Sequence, residues 1–508
     1  MVGHNFINTL ATSDHASEFE IITFSEEPRL AYDRVQLSKY FSGATADDLA
    51  MTTPDEYDEL GVTYIVSDKV VDIDADNKTI KTASGRVEGY DKLILATGSY
   101  PFVPPIPGKD QDHCLVYRTI EDLEDISASA KVSKTGVVVG GGLLGLEAAN
   151  ALREAGLDTH VVEFAPRLMA VQLDEGGGKL LRSKIEGLGV SVHTEKNTKE
   201  IVAGEECRYP MNFADGPHLE TDMILFSAGI RPQDELAREF GIDMGPRGGI
   251  VVNDYLQTSD ENIYAIGDCA LWDNKIYGLV APGYQMAKVA ADHITSTLIT
   301  LDTPKLAFQG ADMSTKLKLL GVDVASIGDA HAHTAGAQSY IFNDDVAEVY
   351  KRLVVSADGK KLLGAVLVGE AEAYGTLLQL MLNDMDIPGN PASLILPAMD
   401  GEAPVGLGVS SLPDTAQICS CFDVTKGDIS GAVQGGCCTM GDLKDATKAS
   451  TGCGGCTALV KQVMDAELES MGVEVNNDLC EHFAYTRAEL ADIVRIKGYT
   501  SFKDVVEG

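Results

Sequence analysis

The sequence has no apolar run approaching the ~18 residues that a membrane-spanning helix needs. Its amino terminus, MVGHNFINTLATSDH, has no basic stretch followed by an apolar one, which excludes a secretory signal of the usual pattern. Basic residues are scarce. Lysine and arginine number 40 against 77 aspartates and glutamates, for a formal net charge of −37. A surface that acidic repels nucleic acid and anionic lipid, so neither is expected as a partner. The chain reads as cytosolic. Cysteine is almost absent from the first 400 residues, where only Cys114, Cys207 and Cys269 occur.

The other seven cysteines crowd into the 62 positions from 419 to 480. A disulfide framework would be spread through a small secreted fold, so this clustering points to a bound metal or cluster. Hydrophobic residues at 44% and charged residues at 23% are globular proportions. At roughly 100–200 residues per domain, a chain of this length is expected to form three or four domains. The first 300 residues alternate β-branched runs with helical periods, the pattern of parallel α/β sheets. Strands are expected in FEIITF (19–24), DKLILAT (91–97), TGVVVG (135–140), THVVEF (159–164), DMILFSAG (222–229) and NIYAIGD (262–268). A helix is expected over 143–156, with apolar positions at 144, 148, 152 and 155. Residues 305–400 read as a separate α+β domain, with a hairpin turning at Asp358-Gly359 and a helix at LLQLMLND. Residues 401–415 read as a Gly/Pro/Ser linker, and the cysteine-dense segment follows.

The sharpest nucleotide signal is TGVVVGGGLLGLEAANALREAGLDTHVVE. Here a strand enters Gly140-Gly141-Gly142-Leu143-Leu144-Gly145, a helix follows, and a second strand ends at Glu163, 18 residues beyond Gly145. Gly140 and Gly142 allow a tight turn and close approach to a pyrophosphate, while Gly145 lets helix and strand pack closely. The phosphates then sit on the helix amino terminus. An acid at Glu163 can bind the ribose hydroxyls and would repel a 2′-phosphate, which favours NADH; Arg167 nearby leaves NADPH open.

Around this unit lie YDKLILATGSYP (90–101), FSAGIRPQ (226–233) and TSDENIYAIGDCA (258–270). With these in order, the chain resembles a pyridine nucleotide-disulfide-type FAD reductase. The resemblance implies an α/β fold with two dinucleotide-binding domains. FAD would be held by residues 1–118 and 245–300, and NAD by 119–244. It implies a crossover turn at Thr97 and Gly98, cofactor contacts at Gly229 and Gly267, and Asp268 on the flavin ribityl chain. In EEPRLAYDRVQLSKYFSG (26–43), Glu26 or Glu27 would bind the adenosine ribose, and Arg34 the pyrophosphate. Lys39 would approach the flavin N5 with Glu147 as its counter-ion, because an unpaired buried charge is costly. The plain alternative is that Lys39 and Glu147 are solvated helix charges. Gly3 stands where the third glycine of the FAD turn belongs, and VGHNFINTLA reads as the helix after that turn, so the chain reads as cut at its start. No dithiol stands beside the flavin, because no cysteine precedes Cys114 and Cys207 is alone. Electrons from the flavin must therefore leave elsewhere.

The exit is expected at Cys419-x-Cys421 and Cys453-x-x-Cys456, with 31 residues between the pairs. Four thiolates on two tight turns suit either a 2Fe–2S cluster or a structural zinc. CSCFDVTKGDI and TGCGGC resemble the bacterioferritin-associated ferredoxin-like domain, which implies a small helical 2Fe–2S domain over 416–470. Cys437 and Cys438 are read as structural. ICSCFDVTKGDIS (418–430) recurs as LCEHFAYTRAELA (479–491), so 471–508 reads as a second, truncated repeat. The motifs GSYPFVPPIPG, RGGIVVND, APGYQMA, STKLKLLGVDV and NNDLCEHFAY, in this order, are similar to the amino-terminal part of the large subunits of assimilatory NAD(P)H-nitrite reductases. That resemblance covers the whole chain. It implies an enzyme of nitrate assimilation, with sirohaem and a 4Fe–4S cluster in a carboxy-terminal half beyond this sequence, and a small subunit or a second copy as partner. A stand-alone NADH:rubredoxin or ferredoxin reductase, and a non-enzymatic redox sensor, are the other readings left open.

Overall fold

The computed structural model describes residues 1–205, 207–300, 304–396, 409–419, 422, 424–451, 455–473, 485, 487–499, 501, 504 and 505. The chain divides into two compact units, Met1–Gly406 with Ser420–Asp423, and Leu407–Cys419 with Val424–Gly508.

The first unit is built around a five-stranded parallel sheet. Its order is Val190–His193, Asp158–Val162, Thr135–Val139, Met223–Phe226, Cys114–Val116. Val137, Val138, Val161 and Ile224 are fully buried, as expected of parallel strands covered on both faces. Cys114–Val116 joins this sheet, so the expected boundary between 118 and 119 is corrected to a point before Cys114. The helix Leu143–Glu154 follows Thr135–Val139 and buries Gly145, Leu146, Ala148, Ala149 and Leu152. Leu144 and Ala155, expected on the inner face, are not buried. The close seating of Gly145 on the backbone of Gly140 turns the helix toward the 145–149 side.

Two further parallel pairs belong to the amino-terminal part: Ile21–Phe24 with Val62–Ile65, and Leu93–Leu95 with Ile263–Ala265. In the second pair the chain returns after all five strands of the parallel sheet have been completed. The helix Val2–Ala11 packs its Phe6 and Leu10 into the core that holds Met286, Ala287 and Ala290 of the helix Val280–Thr295. Residues 315–368 form a five-stranded antiparallel sheet, with the expected hairpin between Val349–Val355 and Leu362–Val368. Gly359, with φ +72°, makes the turn. This sheet is fastened to the helix Glu175–Gly187 through Asp174, which accepts from Tyr350 Oη at 2.6 Å and pairs with Arg352 at 3.0 Å.

In the second unit, Gln417–Cys419 pairs antiparallel with Val424–Thr425. Helices Lys426–Gln434, Met440–Thr447 and Thr457–Ser470 bury Ile429, Val433, Leu443, Val460 and Val463. Thr425 and Thr439 cap the first two with reciprocal bonds to Asp428 and Asp442. A further helix, Arg487–Lys497, begins at the position that the 61-residue repeat assigns to Lys426. Residues 474–484 of the repeat, including Cys480, lie outside the described residues, as do 401–408 of the linker. Among the described residues, no helix is long and apolar enough to cross a membrane.

Candidate active site

The three framework glycines do different things. Gly140 has φ +120°, and a Cβ there would lie 2.2 Å from the Ser227 carbonyl oxygen. A Cβ on Gly145 would lie 1.9 Å from the Gly140 carbonyl oxygen. Both positions are closed to any side chain by backbone. A Cβ on Gly142 would meet nothing within 4 Å, so this is the face at which a phosphate could approach the helix amino terminus. Glu163 ends the next strand and reaches back to the turn. Its carboxylate accepts from the Gly141 N–H at 2.5 Å and the Ala165 N–H at 2.6 Å. Its remaining lone pairs are available to ribose hydroxyls.

A second cluster forms where the chain crosses between the two nucleotide regions. Thr97 Oγ1 donates to the Gln233 carbonyl at 2.6 Å, and the Gly98 carbonyl accepts from the Gln233 N–H at 2.9 Å. Next to this turn, Ser99 Oγ donates to Asp268 at 2.7 Å. Arg118 donates to Ser99 Oγ at 2.7 Å and lies 3.5 Å from Asp268, while its buried Nε has no partner. Such an orphaned donor beside a carboxylate and a serine fits an acceptor-rich ligand. Arg118 has no place in the sequence reading, since nothing in the spacing of Tyr117-Arg118-Thr119 distinguishes it from an ordinary helix-flanking arginine.

Gly3 lies against the crossover. A Cβ there would come within 3.2 Å of Ala96 Cβ, so the helix Val2–Ala11 approaches the crossover closely. Gly267, at φ +76°, lies as near to Val2, whereas Gly229, at φ +109°, faces open space. The adjacent acids part company. Glu26 is exposed and bonds Lys69 at 3.1 Å and Gln233 at 3.0 Å. Glu27 points inward and pairs with Arg34 and Tyr32. Arg34 is held by Glu27 and lies 4.6 Å over the Tyr32 ring. Among the described residues, Arg29 Nε and Arg118 Nε are both buried without a partner, and Arg118 is the one beside Ser99 and Asp268.

Lys39 and Glu147 line one cleft with Ser38, Phe41 and Asn150. They form no ion pair within 4.0 Å, which corrects the expected pairing. Lys39 lies near the end of the turn Arg34–Ser42 and is exposed, so its ammonium is solvated and gains little from pairing. Burial pushes the Glu147 carboxyl up to about 7. Tyr117, 4% exposed, stacks on Phe41 at 6.2 Å, its hydroxyl buried without a partner.

In the second unit, Cys419 is buried, and its hydrogen bond raises the Cys456 thiol well above the ordinary range, with burial adding to the effect. The two thiols therefore adjoin, and Ser450 Oγ lies 3.6 Å from Cys456 Sγ. Two converging sulfurs from separate turns suit half of a four-thiolate site. Cys421 and Cys453 lie outside the described residues. Cys438 is exposed, which departs from its reading as structural.

Residues 2–293 match the family model "Pyridine nucleotide-disulphide oxidoreductase", 314–385 the rubredoxin NAD+ reductase C-terminal domain, and 417–466 the BFD-like [2Fe-2S] binding domain. The chain belongs to the pyridine nucleotide-disulphide oxidoreductases, and it is an oxidoreductase of the FAD- and NAD-binding type. Over 507 residues it is 57% identical to the nitrite reductase (NADH) large subunit of Escherichia coli, covering 100% of this chain and 59% of that protein. To the nitrite reductase [NAD(P)H] large subunit of Klebsiella oxytoca it is 54% identical over 506 residues, covering 100% and 52%. It thus spans little more than half the length of these relatives. The solved ferredoxin reductase of Rhodopseudomonas palustris is 25% identical with a TM-score of 0.67, over 77% of this chain and 94% of that one.

Proposed function

We propose that this chain is the NADH-oxidising electron-input part of an assimilatory nitrite reductase large subunit, acting through FAD and a 2Fe–2S cluster. The observation that carries the proposal is the crossover cluster, where Asp268, Ser99 and the orphaned Arg118 Nε gather beside Gly98. In this reading Arg118 and Asp268 bind the FAD backbone, with Glu27 and the Thr97–Gly98 turn beside them. Gly140, Gly142 and Gly145 shape the NADH turn, and Glu163 orients the adenosine ribose. Lys39 and Glu147 stand at the reacting end. The Glu147 carboxyl, buried and titrating near neutrality, can hold or release a proton there, while Phe41 and Tyr117 exclude water. A flavin supplies the conversion of a two-electron hydride into single electrons. Cys419, Cys421, Cys453 and Cys456 would hold the 2Fe–2S cluster that receives them.

Nitrite as the final acceptor, a small subunit as partner, self-association and a cytosolic location belong to this proposal. Supplied with FAD, the chain should bleach its bound flavin on anaerobic addition of NADH and should reduce ferricyanide continuously. Failure of NADH to reduce a flavin that has bound would overturn the reading. The match of residues 314–385 favours a second one, a stand-alone NADH:rubredoxin-type reductase. Turnover with rubredoxin as fast as with ferricyanide would support that alternative.

A further inference from the structure

Arg167 lies four residues beyond Glu163, on the loop that borders the glycine turn. The Met169 N–H donates to the Gly141 carbonyl at 2.9 Å, and a Cβ on Gly141 would lie 2.6 Å from Leu168 Cδ2. The loop backbone is therefore pinned to the turn at the nucleotide edge. A guanidinium here would ordinarily be placed to receive a 2′-phosphate. In this structure its Nε and its aliphatic stem are engaged elsewhere. Arg167 Nε donates to the Leu173 carbonyl at 2.8 Å, and the stem lies flat against Gly178 in the helix Glu175–Gly187. A Cβ at Gly178 would come within 2.8 Å of Arg167 Cδ, 3.0 Å of Cβ and 3.3 Å of Cγ. Only glycine leaves room for that stem. Gly178 is buried and its φ is not in the left-handed region, so neither exposure nor backbone conformation calls for glycine there.

We propose that Gly178 sets the coenzyme preference, by holding Arg167 docked on the helix and away from the adenosine ribose, so that Glu163 alone reads that ribose and the dinucleotide lacking a 2′-phosphate is selected. The proposal rests on the reading of Gly140–Glu163 as the NADH site. It requires two separate features: an acid facing the ribose hydroxyls, and a cation kept out of reach. With Arg167 docked, NADPH meets only the Glu163 carboxylate and finds no counter-charge from this arginine. The Gly178→Ala substitution removes the groove. The stem can no longer lie on the helix, and because Leu168 and Met169 fix the following backbone, Arg167 is released on the glycine-turn side. Alanine is the better helix former, so the helix itself has no reason to unfold.

The test uses the full chain with FAD. Dissociation constants for NAD+ and NADP+ are measured by calorimetry, together with kcat/KM for NADH and NADPH with ferricyanide. Gly178→Ala should raise the NADP+/NAD+ affinity ratio about tenfold, the scale of one added charge-assisted hydrogen bond, with NADH turnover retained. Adding Arg167→Gln to that variant should abolish the increase. Arg167→Gln alone should leave the ratio unchanged, because the docked guanidinium does not touch coenzyme. An unchanged ratio in Gly178→Ala, or a fall of about fivefold in relative NADPH use in Arg167→Gln alone, the size expected for losing a direct phosphate interaction, would overturn the lock. Either result would leave the NADH reading standing if NADH still reduces the flavin. Loss of all dinucleotide binding by the unmodified chain would instead remove the reading itself.

Discussion

The turn around Glu163 and the cleft around Glu147 hang on one strand–helix–strand stretch, yet they treat a carboxyl group in opposite ways. Glu163 is met by two backbone N–H groups, from Gly141 and Ala165. Glu147, on the helix between, has no ion pair within 4.0 Å and is pushed up to about 7 by burial. In the first region local backbone makes the electrostatics, so residues spaced along a few turns of chain suffice to define it. In the second the environment comes from Ser38, Lys39 and Phe41, remote in sequence, with Tyr117 stacked behind Phe41, and none of them forms an ion pair with the carboxyl. A carboxyl fixed by amides is suited to holding a ligand. One left near neutrality is suited to moving a proton.

The contrast breaks most completely at the turn. Gly145→Val would drive a side chain into the Gly140 carbonyl, where a Cβ alone already reaches 1.9 Å. It should abolish NAD+ binding by calorimetry and cost about 3 kcal/mol or more in denaturant unfolding. Retained binding would show that the turn is not the dinucleotide site.

At the cleft, the expected effect is a pH slope. Glu147 holds its proton up to about pH 7 when folded and releases it at its ordinary value of 4.5 when unfolded. Between these values the folded chain binds more protons, so stability falls as pH rises through the window. Glu147→Gln should remove that slope and leave the variant about 3 kcal/mol more stable above pH 7, measured by denaturant unfolding across pH. A parallel pH dependence in variant and parent would mean that Glu147 is already solvated or paired.

The smallest effect is expected for Lys39→Gln. Exposed and unpaired, Lys39 should contribute less than about 0.5 kcal/mol to folding, even as NADH-dependent flavin reduction slows. A large loss of stability would reveal an ion pair with Glu147 and erase the difference between the two regions.

What sequence reading recovers follows the same division. Strand and helix alternation, the Asp358-Gly359 hairpin, the Gly140–Gly145 turn and the acid at 163 all follow from local periodicity, φ requirements and short spacing. The face of the 143–154 helix is less legible, because its rotation depends on how Gly145 meets Gly140. The strand Cys114–Val116 could be assigned to the second nucleotide sheet only by its pairing with Met223–Phe226, over a hundred residues away. Arg118 and the Glu27–Arg34 pair depend on how side chains converge in space, and adjacency in the chain could not separate Glu26 from Glu27. The Cys419–Cys456 proximity is an instructive exception, since clustered thiols in an otherwise cysteine-poor chain signal their own convergence.

In the proposed function, electrons from NADH enter at the flavin and reach the four-cysteine site of the same chain. An anaerobic NADH titration of the chain carrying FAD and iron–sulfur cluster, followed by optical and electron paramagnetic resonance spectra, tests it most directly. The flavin band should bleach and the signal of a reduced 2Fe–2S cluster should then appear, whereas Cys456→Ala should bleach the flavin without any such signal. A native chain whose flavin is fully reduced by NADH while its cluster stays oxidised would contradict it.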